Sequence, residues 1–306
     1  MTQALPLVSV VIPSYNHAHL IGRALSSVLA QSWPRLELIV VDNHSTDNTD
    51  EVVNGFADAR VRLLKVYNGG TIAISRNLGI SAARGEWVAF LDSDDWWADN
   101  KLARCAAHFG EADFIYHRLR IVSEGRRSYL SRHIGSWQVR QPVLQHMLID
   151  GNPVATSSVV VRRALLEKIG GFDERREIVA AEDYDAWLRI AKLTERFHFV
   201  RENLGFYLFS MQSASRKDMS LPMREVYATH AHHLASEYRE RMEANAAYAA
   251  GRHASREGDQ ARARTELYKV LRWGRADLRL KSMLTLLMLQ FRRIGVPAKG
   301  SSGRQE

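Results

Sequence analysis

Residues 86–97 read EWVAFLDSDDWW, and the rest of the chain is organised around them. An apolar run over 87–91 stops abruptly at Asp92, Ser93, Asp94 and Asp95. A short apolar run that ends in a turn cluster reads as a buried strand. The carboxylates then sit at a strand's carboxyl end, the edge where open α/β sheets bind ligands. Carboxylates this close repel one another unless something positive joins them. A hard divalent cation with oxygen ligands meets that need. A turn leading to a helix N-cap accounts for the same residues, since Asp and Ser favour both.

Toward the N-terminus the pattern repeats. LVSVVI at 7–12 is a β-branched strand ended by Pro13, and Ser14, Tyr15 and Asn16 form a loop. Leu20, Ile21, Ala24, Leu25, Val28 and Leu29 recur at helical spacing. LELIVV at 36–41 is the second strand, ended by Asp42, with a polar helix to about 57. A third strand is expected over 61–66 and a helix over 71–83, with Gly85 as its closing glycine. Alternating helices and nearly all-apolar strands predict a mostly parallel sheet covered on both faces. Right-handed crossovers put the strands' carboxyl ends on one edge. Pro13 to Asn16, Asp42 and Asp92 to Asp95 should therefore line one crevice. Neither GxGxxG nor GxxxxGK[ST] occurs, which disfavours a dinucleotide fold or a P-loop.

Beyond Asp95 the alternation weakens. A helix is expected over 101–109, strands over 113–117 and 119–122, and a polar basic loop over 124–137. A helix follows over 141–148, a strand over 156–161 (TSSVVV) and a helix over 163–169. EDYDAWLRIAKL at 182–193 reads as a helix with acids in its first turn. Strands are expected over 196–200 and 205–209. From about residue 219 the composition turns to Ala, Arg, Glu and Leu. Two helices meet at Glu257-Gly258-Asp259, and another covers 278–294.

The 306 residues allow one large domain or two smaller ones, and 46% hydrophobic content is ordinary for a globular protein. The single cysteine, Cys105, excludes an intrachain disulfide and suits a reducing cytosol. MTQALPLVSVVIP lacks a basic n-region and reads as a first strand, not a signal peptide. Net charge is +8, and residues 251–306, with 13 Lys/Arg against 5 Asp/Glu, carry an equal excess. A basic tail on a neutral body suits an anionic surface. No nucleic-acid motif accompanies it, so no nucleic acid is expected. The helix over 278–294 has an apolar centre with basic flanks, which suits a membrane surface and a buried packing helix equally.

Five segments together resemble family 2 glycosyltransferases, inverting enzymes of the GT-A fold. They are VSVVIPSYNHAHLIGRALSSVLAQSW, ELIVVDNHSTDNT, ISRNLGISAARGEWVAFLDSDD, GGFDE and AEDYDAWLR. The resemblance implies a GT-A domain over 1–218 and a helical basic extension over 219–306. It implies transfer of a sugar from a UDP- or dTDP-sugar to a saccharide or lipid-linked acceptor, in cell-surface polysaccharide or glycolipid synthesis. Such an enzyme would work in the cytoplasm, at the inner membrane face if its basic helix binds there. Pro13, Tyr15 and Asn16 would floor the base, Asp42 would accept from its imide N–H, and Asn43 would lie beside them. Arg76 and Asn77 would face the base or diphosphate. Asp92 and Ser93 would hold the donor, and Asp94 with Asp92 would bind Mn2+ or Mg2+. Asp183 would be the general base, with Glu182 and Trp97 toward the acceptor. Asn43 stands where the family often has Asp. Ser210 stands near where many members carry His, with His117 or His133 as a substitute and Ser213, Ser215 and Arg216 left for phosphate. The alternative is a degenerate transferase-like scaffold acting through its tail.

Overall fold

The structure, a computed structural model, describes residues 5–123, 133–134, 137–209 and 217–294. Its centre is a nine-stranded sheet. β1 (Val8–Ser14) and β2 (Leu36–Asp42) are buried at every position, as strands covered on both faces must be. β3 (Val61–Lys65) lies outside β2, β4 (Trp87–Phe90) flanks β1, and all four run parallel. Successive side chains alternate between two cores. Val10 and Ile12 pack with Leu38, Val40 and Ala89 against Ile21, Leu25 and Val28 of α1 (Ala18–Leu29). Val11 packs on the other face with Ile39, Val41 and Phe90. α2 (Thr49–Asn54) and α3 (Ile72–Ala82) complete the crossovers. Ser14 pairs with Asp42 and Val11 with Phe90, so the residues following β1, β2 and β4 share one edge.

The rest of the sheet is mixed. β5 (Trp96–Trp97) and α4 (Lys101–Ala106) lead into β6 (Phe114–Ser123), which pairs with β7 (His133–Ile134). After α5 (Val143–Asp150) come β8 (Val160–Arg162), α6 (Arg163–Lys168), α7 (Glu182–Ala191) and β9 (Phe197–Phe209). β8 runs antiparallel to β4 and β6, β9 is parallel to β6, and β5 is antiparallel to β9. The two strands expected over 113–122 are one strand with a bulge around Arg118, and those over 196–209 are likewise one. The strand expected over 156–161 begins only at Val160. Thr156–Ser158 form a tight 3-10 turn whose hydroxyls are needed elsewhere.

Gly85 corrects another expectation. The helix ends with Ala83 in an extended conformation (φ −68°, ψ 136°), and Gly85 is not left-handed. Glycine is required because a Cβ there would lie 2.6 Å from Leu7 O and 2.7 Å from Ser9 N. Those are backbone atoms of the chain entering β1 and cannot swing away. Gly85→Ala is expected to destabilise the protein by about 1–3 kcal/mol, the usual range for overpacking. Urea denaturation measures it, and an unchanged midpoint would refute the close-packing account.

The C-terminal helices are α8 (Ser220–His230), α9 (Arg239–Glu257), α10 (Gln260–Trp273) and α11 (Ala276–Ile294). Gly258, left-handed at φ 85°, and the Asp259 N-cap turn the chain between α9 and α10. Val226, Tyr227, Met242 and Ala246 join the same core as Phe90 and Trp187, so α8 and α9 complete the helical layer over the sheet. The buried His230 Nε2 meets Asp185 Oδ1 at 2.9 Å, which ties α8 to α7.

Candidate active site

The acidic turn follows β4. Asp95 N donates to Asp92 O (3.0 Å), closing a tight turn. Asp92 N donates to Ser157 Oγ (3.1 Å), and Ser93 Oγ meets His17 Nδ1 at 2.7 Å. Asp95 is buried, and its Oδ1 accepts from Leu208 N of β9 (2.9 Å). Three other segments thus fix the turn, while Asp92 and Asp94 stay half-buried at the surface of the crevice. Burial, then the charge of Asp92, pushes the Asp94 carboxyl up to about 6. Burial, then Asp94 and Asp92, pushes Asp95 well above the usual carboxylate range. Arg23 donates to Asp94 O (2.9 Å) and pulls the Asp94 carboxyl down, but not enough to offset burial and Asp92.

The opposite wall is the first turn of α7. Arg76, only 3% exposed, reaches from α3 between the two walls. Its Nη1 donates to Glu182 Oε1 (2.7 Å) and its Nη2 to Asp92 Oδ1 (2.9 Å). Asp183 is half-buried beside them, and its Oδ2 accepts from Thr156 Oγ1 (2.9 Å). Burial, then the neighbouring Glu182, raises the Asp183 carboxyl to about 6 against the pull of Arg76. The result is a carboxylate poised to take a proton near neutral pH, linked to the acidic turn through Arg76.

The other sequence-based site residues fall as follows. Pro13 is buried and Tyr15 is half-exposed above it. Asn16, at φ 51°, accepts from Thr46 N through Oδ1 (2.8 Å) and donates its N–H to Ser45 Oγ (2.8 Å). Asn43 Oδ1 accepts from Asn68 N (2.8 Å). Asp42, expected to accept from the base's imide N–H, is engaged by protein groups here. It is wholly buried, and it accepts from Ser45 N (2.8 Å), Ser45 Oγ and Lys65 Nζ (2.8 Å). It holds the loop under Asn16. Arg76 faces carboxylates, not open crevice. Glu182, expected toward the acceptor, is 5% exposed and paired with Arg76. Asn77, expected toward the base or diphosphate, is turned to the backbone of Phe172. Its amide brackets Phe172 N (2.7 Å) and O (2.9 Å), which explains why GGFDE accompanies the Arg-Asn element.

Trp97, expected toward the acceptor, is enclosed by its neighbours. It is 2% exposed, its Nε1 donates to Ser157 O (2.8 Å), and Lys101 Nζ lies 3.5 Å over its ring. Trp96 is the more exposed of the pair, stacked on Phe206 with Arg23 over its other side. His117 is no substitute for the missing loop histidine. It is buried beside Lys101, and burial pushes its imidazole down to about 3. Ser210, Ser213, Ser215, Arg216 and most of the loop over 124–137 lie outside the described residues. Sequence reasoning missed Thr156, Ser157 and His17. The signal for the first two was three hydroxyl residues in a row at the head of an otherwise apolar strand.

Among the described residues no group of three or more His, Cys, Asp and Glu is arranged to hold a metal ion. Asp92 and Asp94 nevertheless fit a hard divalent cation in donor chemistry. Both offer oxygen, both are partly accessible, and their mutual repulsion is visible in the raised Asp94. Around them Ser14 Oγ, Arg76 Nε, Glu182 Oε2 and Asp95 Oδ2 are buried without a partner among the described residues. Such a concentration of unsatisfied polar atoms is expected of a ligand site and not of a core.

Comparison with known proteins agrees with this geometry. The family model for glycosyl transferase family 2 matches residues 9–170. A glucosyltransferase of Escherichia coli, named as acting from UDP-Glc on GlcNAc-diphosphoundecaprenol, is 34% identical over 61% of this chain and 70% of its own. A succinoglycan biosynthesis protein of Rhizobium meliloti is 40% identical over 40% of this chain and 36% of its own. Staphylococcus aureus TarS 1-349, solved with UDP-GlcNAc, covers 96% of this chain and 93% of its own at 19% identity and a TM-score of 0.64. A Pyrobaculum calidifontis mannosyltransferase solved with GDP-Man and Mn2+ covers 97% and 82% at 21% identity and 0.61. These two share the GT-A-type fold with it. With the family match spanning more than half its length, over the strands and the acidic turn described above, the chain belongs to glycosyl transferase family 2.

Proposed function

We propose that this chain is a metal-dependent, inverting hexosyltransferase that moves a sugar from a UDP- or dTDP-sugar to a saccharide or lipid-linked acceptor, in cell-surface polysaccharide or glycolipid synthesis. The observation that carries the reading is the convergence of Asp92, Glu182 and Asp183 on Arg76, with Asp94 beside Asp92, at the carboxyl edge of the parallel strands. Tyr15 offers a ring at the mouth of β1 for the base. Asp183 takes the acceptor hydroxyl's proton as that oxygen attacks the anomeric carbon, and the nucleoside diphosphate leaves from the opposite face. A divalent cation held by Asp92 and Asp94 would neutralise charge on the departing diphosphate. Thr156 keeps Asp183 aimed by its hydrogen bond, and Arg76 keeps the two acidic walls together. The donor named for the 34% identical Escherichia coli relative, UDP-Glc, favours a uracil nucleotide.

Thermal shift with UDP, dTDP, GDP and CDP, each with and without Mn2+, tests the reading. UDP or dTDP with Mn2+ should stabilise the protein by about 2.7 kcal/mol at ~100 times its Kd. Asp94→Ala should abolish the metal-dependent part. The same part should fade as pH drops through about 6, because the proton competes with the cation for Asp94. A scaffold without nucleotide affinity would show no shift with any of the four.

A further inference from the structure

α11 has two apolar sides. Leu278, Ser282 and Leu289 are buried against the helices beneath. Leu280, Met283, Leu284, Leu287 and Met288 recur at three- and four-residue steps on the other side, and each is 44–65% exposed. Contiguous exposed apolar surface of this kind marks a contact face. Its borders are basic. Arg279 lies one turn before Met283, and Lys281 lies one turn before Thr285 on the other flank. At the start of the helix, Arg241, Arg272, Arg275 and Arg279 line a groove of about 380 Å³ together with Tyr238, Trp273 and one acid, Glu237. Arg241 and Arg275 pair with Asp150 and Asp277, whereas Arg272 and Arg279 have no carboxylate partner among the described residues. Arg272 instead lies over the half-exposed Trp273 ring (4.9 Å).

We propose that this face of α11, with the arginine groove beside it, is where the chain lies on an anionic lipid bilayer. An amphipathic helix with basic borders and aromatic residues at its end is suited to the headgroup–acyl boundary. α11 does not cross, for no helix among the described residues is long and apolar enough. A second copy of the chain is a poor cover, because it would bring two arginine-rimmed, +8 tails together. Residues 295–306, GVPAKGSSGRQE, contain Val296 as their only large aliphatic side chain and are a poor cover too.

Co-sedimentation of the full chain with phosphatidylcholine vesicles, with and without phosphatidylglycerol, tests this without donor or acceptor, so it stands or falls separately from the transfer reaction. The chain should pellet with the phosphatidylglycerol vesicles and stay in solution with the neutral ones. Each basic residue near such a surface is worth about fivefold in partitioning. Arg272→Glu with Arg279→Glu should therefore lose at least ~25-fold. Leu284→Glu with Met288→Glu should lose at least ~10-fold, with the parent's thermal melt retained because both positions are exposed. A chain ending at 294 should bind like the parent. The proposal is overturned by any of four results: no pelleting of the parent, equal pelleting with neutral vesicles, full binding by both double variants, or a parent dimer that Leu284→Glu with Met288→Glu dissolves.

Discussion

Asp183→Asn should lower kcat by about 10²–10⁴ while leaving the protein at least as stable as the parent. The two halves of that expectation share one cause. Burial, followed by Glu182, raises the carboxyl from its ordinary 3.8 to about 6, with Arg76 and Thr156 opposing. A folded value above the unfolded one means that the folded state holds the proton more tightly. The resulting stability is complete below about 3.8 and is lost as pH rises through about 6. At neutral pH the fold therefore carries an ionised group that it disfavours, and that ionised group is the one a general base needs. Asparagine removes the charge and keeps an oxygen for the Thr156 hydroxyl. A gain on the order of 1 kcal/mol at pH 7.5, fading toward pH 4, is expected in urea denaturation. The parent's kcat/KM should climb tenfold per pH unit below about 6 and then level off. A variant that keeps more than a tenth of parental turnover would place the base elsewhere. Asp185, two residues further on, is the control. Burial would raise it too, but His230 and Arg189 outweigh that and hold it below the usual range. Its stability contribution is present above the unfolded value and lost in acid, so Asp185→Asn should destabilise.

The parallel half of the fold was legible because its strands are buried on both faces and so are apolar at nearly every position. The acidic turn and the α7 pair were legible because each is a run of adjacent residues, Asp92 to Asp95 and Glu182-Asp183. What escaped was what distant segments do to them. Thr156 and Ser157 looked like strand residues, yet their hydroxyls serve Asp183 and the Asp92 N–H, 27 and 65 residues away. Trp97 looked like a sugar platform because it follows the acids. Its burial depends on a carbonyl 60 residues distant and on the Lys101 ammonium above its ring. Asp42 occupies a base reader's position in the sequence, but the Lys65 that takes its charge comes from the neighbouring strand. Sheet topology decides such partners, and local pattern carries no trace of it. The same holds for Arg76, which a single chain reading leaves on a helix face.

Arg76→Met should destabilise the protein by about 3–5 kcal/mol, the cost of removing one partner from a buried ion pair. Its guanidinium, 3% exposed, is the cation that Asp92 and Glu182 both touch, and it also draws on Asp183. Burial alone would lower its affinity for the proton, yet the three acids together more than offset that and raise it. Removing it leaves Glu182, itself 5% exposed, with no countercharge. Lysine should not rescue, because one ammonium cannot span two carboxylates as the planar fork does. Glu182→Gln in the Arg76→Met background should recover part of the loss, since it removes the stranded charge. A melting temperature within a degree or so of the parent, against the roughly 10 °C drop expected, would mean that the acids are neutralised by something else. A pH readout separates this role from mere packing. Arg76 pulls the Asp183 carboxyl down, so its loss must push that group further up. The acid limb of the residual activity should then move above about 6 in Arg76→Met and return toward it when Glu182→Gln is added. An inert packing residue would lower stability and leave that limb where it was.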